Sequence, residues 1–342
     1  MTGPHPAAEL SDTAAKDTRT AQKVSSTTVA VLAIYGLVAV LILASRAVSP
    51  SLGGLSQIET VFYLSAFLVF CAFGQGLVIL VRGLDLSIAS MITLGAILST
   101  TLMGGSNDGL LYLVPAILLV CAMVGVVSGI GITFFAIPPF IMTMAVGIIV
   151  YSLCLGVTGG TPRGFPSPML REFMQDRFVG IPSPVWLLGL FVILGTVLQG
   201  YSSLGRKLTA VGNNPAAAHV AGLSARRLTI LAYAISAACA GFTGILLAAY
   251  SNGATLRMGD AYLLPSIAAV VVGGSSILGG RGSFLGTVGG ALLLTTLSTI
   301  LSALGIGQGW KTITEGLVIL AALILLRDEV FTALQTRFRR TA

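Results

Sequence analysis

Charge is what this sequence has least of. Asp, Glu, Lys and Arg together make up 9% of its 342 residues, against roughly 25% in a soluble domain. So few charges cannot clothe a 35.1 kDa globule, and the hydrophobic share of 55% must face lipid. A soluble enzyme, a nucleic-acid-binding protein and a disordered chain are excluded at this step. Histidine is nearly absent: His5 and His219 supply no set of imidazoles for a metal centre. The four cysteines, Cys71, Cys121, Cys154 and Cys239, each lie in an apolar run without the paired spacing of a zinc site or redox motif. They read as small core residues. Catalytic motifs are missing as well: there is no HExxH, GxSxG or Cys/His cluster. Gly200–Lys207, GYSSLGRK, falls short of a phosphate loop. Arg206 holds the lysine place, Lys207 the Ser/Thr place, and no strand precedes it. The chain reads as a non-enzyme with no cofactor or metal of its own.

What is present is a succession of long apolar runs in a glycine-rich chain, with 42 glycines, as expected where helix backbones approach closely in a membrane. Residues 1–23 form a polar tail. The run from Val24 to about Ala44 is longer than the ~7–15 residues of a signal sequence's apolar region and reads as a retained first span. Further spans are expected near 58–80, 87–103, 111–134, 139–157, 184–200, 228–250, 263–279, 284–303 and 311–326, giving an all-α membrane protein of ten helices. Several are short or interrupted by Gly and Pro, a backbone tolerated at membrane depth only inside protein or along an aqueous path. The transmembrane domain is thus 24–326, followed by a basic tail, 327–342. Ten spans put both termini on one side. With those ends inside, the inner segments hold Lys16, Arg19, Lys23, Arg82, Arg206, Lys207, Arg226, Arg227, Arg281, Arg327, Arg337, Arg339 and Arg340, most of the 19 basic residues. The positive-inside rule therefore places both termini in the cytoplasm. Two long loops result, 158–183 outside, with an amphipathic stretch around Met169–Phe178, and 201–227 inside.

The inner loop carries the most specific local chemistry. Asn214 is suited to cap a helix opening on Pro215, the run Ala216-Ala217-Ala218-His219 favours helix, and Gly222 can end it. Its small side chains allow close approach of a cytoplasmic partner, and its basic flanks set orientation; a solvated basic loop is the plainer reading. Between the second and third spans Asp85 is ionisable at membrane depth, a functional candidate by default. The favoured reading is structural, with Asp85 capping the third span and pairing with Arg82. Gly282, Gly286 and Gly290 recur every four residues, a pattern of close packing at a dimer or bundle interface. Glu315 lies about one turn inside the last span. Gln75, Thr143 and Ser275, with Asp85, are the polar candidates for lining a path.

Several stretches together resemble one family. Gly74-Gln75-Gly76-Leu77-Val78-Ile79-Leu80 runs into Arg82-Gly83-Leu84-Asp85-Leu86-Ser87, similar to the family's G(I/L)DLS segment. Ile137-Pro138-Pro139-Phe140-Ile141 precedes a span ending at Thr158-Gly159-Gly160. Then follow Val211-Gly212-Asn213-Asn214-Pro215-Ala216-Ala217, the Ala268–Ser276 run and Gly279-Gly280-Arg281-Gly282-Ser283. In this order, over about 60–326, they resemble the permease subunit of bacterial sugar-importing ABC transporters, the branch serving ribose, xylose and arabinose. The resemblance implies a multi-pass protein of the bacterial inner membrane that passes a monosaccharide to the cytoplasm. It implies a separate cytoplasmic ATPase that binds ATP and Mg and engages Asn214, Pro215, Ala216, Ala217, His219 and Gly222. A periplasmic sugar-binding protein and a second permease, a copy or a paralogue, are implied as well. Two departures stand out. Pro215 occupies a place where the family often has Glu, and a basic residue often found near Tyr151–Ser152 is absent; the first bears on coupling strength and on pairing with a paralogue. The rival reading is an ion-coupled secondary transporter, supported by Asp85 and Glu315 alone. A membrane enzyme ranks third, and a polyol, nucleoside or signalling furanose is the alternative solute.

Overall fold

The structure is a computed structural model that describes residues 31–47 and 52–325. Both tails, the start of the expected first span and the side chain of Glu315 lie outside the described residues. The chain is helical nearly throughout. It begins with α1 (Val31–Ala47), α2 (Leu55–Leu80), α3 (Ile88–Met103), α4 (Leu110–Phe134) and α5 (Pro139–Thr158). The loop 158–183 holds α6 (Pro168–Gln175) and a small hairpin in which Arg177–Phe178 pairs antiparallel with Ile181–Pro182. Then come α7 (Ser183–Thr196), continued by a π-turn over Val197–Tyr201, α8 (Ser203–Asn213) and α9 (Pro215–Val220). The last four are α10 (Ala225–Ser251), α11 (Asp260–Val272), α12 (Phe284–Ala303) and α13 (Gln308–Leu325).

Among the described residues, six helices are long and apolar enough to cross a membrane: α2, α4, α5, α7 with its π-turn, α10 and α12. The shorter apolar helices are α1, α3 and α11, so ten full-length crossings are not established. Two expected spans are corrected. The 263–279 run does not stay helical: α11 has 13 residues, about 20 Å at ~1.5 Å per residue, short of the ~30 Å hydrocarbon core. Gly274 turns the chain at φ +86°, and Ser276 N–H donates to the carbonyl of Arg281 across the following loop. Ile277 and Leu278 kept the run apolar without lying in the helix. The first span also runs past the expected Ala44, to Ala47; the Ser45 hydroxyl bonds back to the Ile42 carbonyl at 2.7 Å, so a polar residue there does not end the helix.

The interior is organised around α2 and α10. Helix α10 packs on α4, α3 and α2, while α2 also meets α7, α11 and α12. Helix α2 is buried along nearly its whole length, whereas few residues of α4, α5 and α7 are fully buried, the distribution expected when an outer ring faces lipid. Since lipid is as apolar as leucine, close packing has to hold such helices together. A Cβ on Gly244 of α10 would lie 2.0 Å from the Ile92 carbonyl oxygen of α3, so only glycine permits that crossing. Phenylalanines fill the wider gaps. Phe191 of α7 stands edge-on to Phe70 and Phe73 of α2, and Phe73 edge-on to Phe284 of α12, at centroid distances of 4.8, 5.4 and 4.7 Å. Such edge-to-face pairs contribute about 0.5–1.5 kcal/mol each beyond burial.

Candidate functional site

Three features along the bundle form the candidate site. The first is the break between α2 and α3. Asp85 is buried in it, and its carboxylate is fully engaged. One oxygen accepts from the Ser87 backbone N–H at 3.0 Å and the Ser87 hydroxyl at 2.5 Å, and the other from the Ser236 hydroxyl of α10 at 2.8 Å. Ser236 lies eleven residues into α10, about 16 Å along its axis, so the break packs beside the interior of that long apolar helix. Thr143, buried on α5, accepts from the Leu86 N–H at 3.0 Å. Asp85 and Thr143 therefore meet at one turn. The expected pairing of Asp85 with Arg82 is corrected: Arg82 turns away to α8, while hydroxyls and an amide hydrogen-bond the carboxylate. Gln75 and Ser275 are buried too. Among the described residues neither polar atom of the Gln75 amide has a hydrogen-bond partner.

Those contacts bear on the ion-coupled rival. An Asp85→Asn variant keeps an oxygen for the Ser87 amide at the same volume, so uptake by it should match the native protein and stay indifferent to an uncoupler. Asp85→Ala strands two hydroxyls and an amide, at a cost of about 1–3 kcal/mol for each buried group left unpaired. Uptake abolished by Asn but not by the loss of folding seen with Ala would instead assign the carboxylate a transported proton.

The second feature is the junction beneath that break. Asn214 caps α9, its side-chain oxygen accepting from the Ala216 and Ala217 N–H groups at 3.1 Å each. Gly222, at φ +78°, closes the helix, with its N–H on the His219 carbonyl and that of Leu223 on Ala218. The short helix buries Ala218 and exposes Pro215, Ala216, Ala217, His219 and Val220. It is preceded by α8, which sequence reasoning missed although Leu204, Leu208 and Val211 share one face. Leu208 and Val211 are buried, and Ser202 caps the helix by accepting from Gly205 N–H. The segment resembling a phosphate loop is thus the start of an ordinary capped helix. At the far end of α8, Gly212 has no room for a side chain: a Cβ there would lie 1.8 Å from the Leu80 carbonyl oxygen and 2.6 Å from Gly280 N.

The helix glycines belong to the same region. Gly282 precedes α12, while Gly286 and Gly290 lie on it, and Cβ atoms on these two would lie 2.0 and 2.2 Å from the carbonyl oxygens of Gly273 and Ala269. They set the approach of α12 to α11 within one chain.

The third feature, also missed, is at the opposite end of the bundle. A cavity of about 580 Å³ opens between α2, α11 and α12, lined by Thr60, Tyr262, Thr295, Ser298, Thr299 and Ser302 among others. A neighbouring one of about 370 Å³ shares Thr60 and Leu64 with it and adds Glu59, Tyr63, Arg177 and Tyr250. Glu59 and Arg177 pair at 2.8 Å, and the Tyr63 hydroxyl donates to the Met174 carbonyl at 2.9 Å, tying helix α6 to α2. The signal was in the sequence: Thr295, Ser298, Thr299 and Ser302 fall at i, i+3, i+4 and i+7, a hydroxyl stripe on an otherwise apolar helix.

Residues 57–326 match the family described as branched-chain amino acid transport system / permease component. The ribose import permease protein of Escherichia coli (strain K12) is 30% identical over 295 residues, covering 84% of this chain and 92% of that protein. The ribose import permease protein of Bacillus subtilis (strain 168) is 32% identical over 260 residues, 75% of this chain and 80% of its own length. The galactose/methyl galactoside import permease protein of Haemophilus influenzae is 29% identical over 311 residues, 86% and 93%. No solved structure matches the chain.

Proposed function

The chain belongs to the branched-chain amino acid transport system / permease component family, and from that premise we propose that it passes a monosaccharide inward as the membrane permease of an ATP-driven importer. The observation that carries this reading is similarity over most of the chain to permeases named for ribose and for galactose. A pentose or related sugar is the substrate class. The α9 end lies in the cytoplasm with both termini, in keeping with the basic residues around it, and the opposite end faces the periplasm. A binding protein delivers sugar there to the hydroxyl-lined cavities, whose Ser and Thr groups exchange hydrogen bonds with sugar hydroxyls and whose tyrosines offer flat faces. Such contacts hold weakly and release easily, which suits a conduit whose selectivity resides in the delivering protein. At the inner end α9 seats against an ATPase subunit, which binds ATP and Mg. A second permease, identical or paralogous, completes the path.

Affinity purification of the tagged chain from its native membrane tests this directly. The expected result is co-purification of an ATPase whose turnover rises only when a binding protein and one sugar are both added. Recovery of this chain alone, together with uptake by it that an uncoupler abolishes and ATP does not affect, would replace the proposal with ion-coupled transport.

A further inference from the structure

The junction contains an arginine that neither the break nor the docking helix accounts for. Arg82 follows the end of α2 with φ +66°, a left-handed conformation that residues other than glycine rarely adopt and that marks positions held by their surroundings. What holds it is a pair of bonds to a segment 130 residues away. Its Nε donates to the Gly212 carbonyl at 2.6 Å and its Nη2 to the Asn213 carbonyl at 2.8 Å. Those carbonyls end α8 and immediately precede Asn214, the cap of the docking helix. Among the described residues Arg82 forms no ion pair with a carboxylate, so its guanidinium serves as a two-pronged donor. A third strand of chain closes the knot. Gly280 N–H donates to the Leu80 carbonyl at 2.9 Å; a Cβ on Gly279 would lie 2.5 Å from Arg82 Cγ, and one on Gly280 2.5 Å from the Asn213 side-chain oxygen. The end of α8, directly before the docking helix, the α2–α3 break and the α11–α12 loop therefore meet at Arg82.

We propose that Arg82 is the latch that makes these three segments move together, so that displacement of α9 reaches both interruptions of the membrane helices. This rests on the importer reading above. Arg82 is a positioning residue: it touches no sugar and acts through α8. Three residues beyond it stands Asp85, pinned to α5 and α10 through the same turn, so a pull on Gly212 and Asn213 is delivered to the turn that spaces α3 from α2. The plainer alternative is that Arg82 merely caps the carbonyls ending α8, as basic residues near helix C-termini do. The two differ in what is lost with the side chain. A cap contributes stability, and its loss lowers hydrolysis and transport in proportion. A latch sets the ratio between them.

The test is the complete complex of permease, ATPase and binding protein, in proteoliposomes, with native permease, Arg82→Gln and Arg82→Lys. The latch predicts that Arg82→Gln still assembles with the ATPase, because the exposed face of α9 is unchanged, and still hydrolyses ATP at the basal rate. Stimulation by the loaded binding protein is lost, and sugar moved per ATP falls on the order of tenfold, within the range of typical coupling between sites. Lysine keeps the charge but lacks the planar fork, so Arg82→Lys falls between the two and serves as the informative variant if glutamine prevents insertion. An unchanged ratio of sugar to ATP in either variant, with both rates reduced alike, would leave Arg82 as a cap and overturn the latch. Absence of stimulation in the native complex would instead sink the importer reading, and the latch with it.

Discussion

Replacing Ala217 with glutamate abolishes sugar uptake while the protein remains inserted in the membrane. Ala217 is exposed on α9, in the third helical position after the Asn214 cap. Glutamate is favoured there, since its charge complements the helix N-terminus. The substitution therefore leaves the short helix formed and changes only its outer surface, where a methyl group gives way to a larger, charged side chain. At a closely fitted contact such a change costs on the order of 3 kcal/mol, about a hundredfold in affinity. Permease in the membrane should match the native amount by immunoblot, while ATPase recovered with it and uptake both collapse. Ala217→Ser adds one small hydroxyl and should keep uptake near native. Normal uptake by the glutamate variant would remove α9 from the docking surface.

How far such features could be foreseen depended on whether the chemistry was local. The Asn214–Pro215 start and Gly222 end of α9 lie within nine residues, and capping rules speak to that range. The break at Asp85 was visible as a charged interruption of an apolar run, and the capping partner Ser87 is two residues away. What held Asp85 in place otherwise was not visible, because Ser236 is 151 residues distant and Arg82, its obvious local partner, is claimed by α8. The α11–α12 loop was misjudged for a different reason. Hydropathy counts Ile277 and Leu278 toward a span, but both are exposed and backbone bonds have already turned the chain at Gly273 and Gly274. Apolar content does not make a helix when two glycines end it. Helix α8 and the hydroxyl stripe of α12 were legible in principle, each a face at helical spacing obscured by the composition around it. The four-residue glycine spacing points to a close contact, and Gly286 and Gly290 lie against backbone carbonyls of Gly273 and Ala269, but spacing cannot say whether the partner is another helix of the same chain or a second copy.

That last ambiguity sets the other large expected effect, the loss of folded protein in Gly286→Val. The atom in the way is the Gly273 carbonyl oxygen, 2.0 Å from where a Cβ would stand, and a Cβ on Gly273 would in turn meet the Gly286 carbonyl oxygen at 2.5 Å. Backbone faces backbone, so no side chain can swing aside. Four residues on, Gly290 repeats the contact against Ala269, and yielding at one point pries open the other. Separating α11 from α12 should cost about 3 kcal/mol or more, the upper part of the range for overpacking. The melting temperature of the purified monomer in detergent, with the amount recovered from the membrane, reads this effect. Gly282→Ala is the internal control: its Cβ would meet the Ser275 hydroxyl at 2.7 Å and a Leu80 methyl at 3.3 Å, which can rotate away, and the Ser275 Cβ at 3.1 Å, which needs a shift of a few tenths of an ångström, but no backbone carbonyl, so its melting temperature should fall far less than that of Gly286→Val. A valine variant that melts like the native monomer yet no longer forms the two-permease complex would move this glycine face from the interior of the chain to the surface between copies. The close carbonyls of α11 argue that it will instead fail to fold.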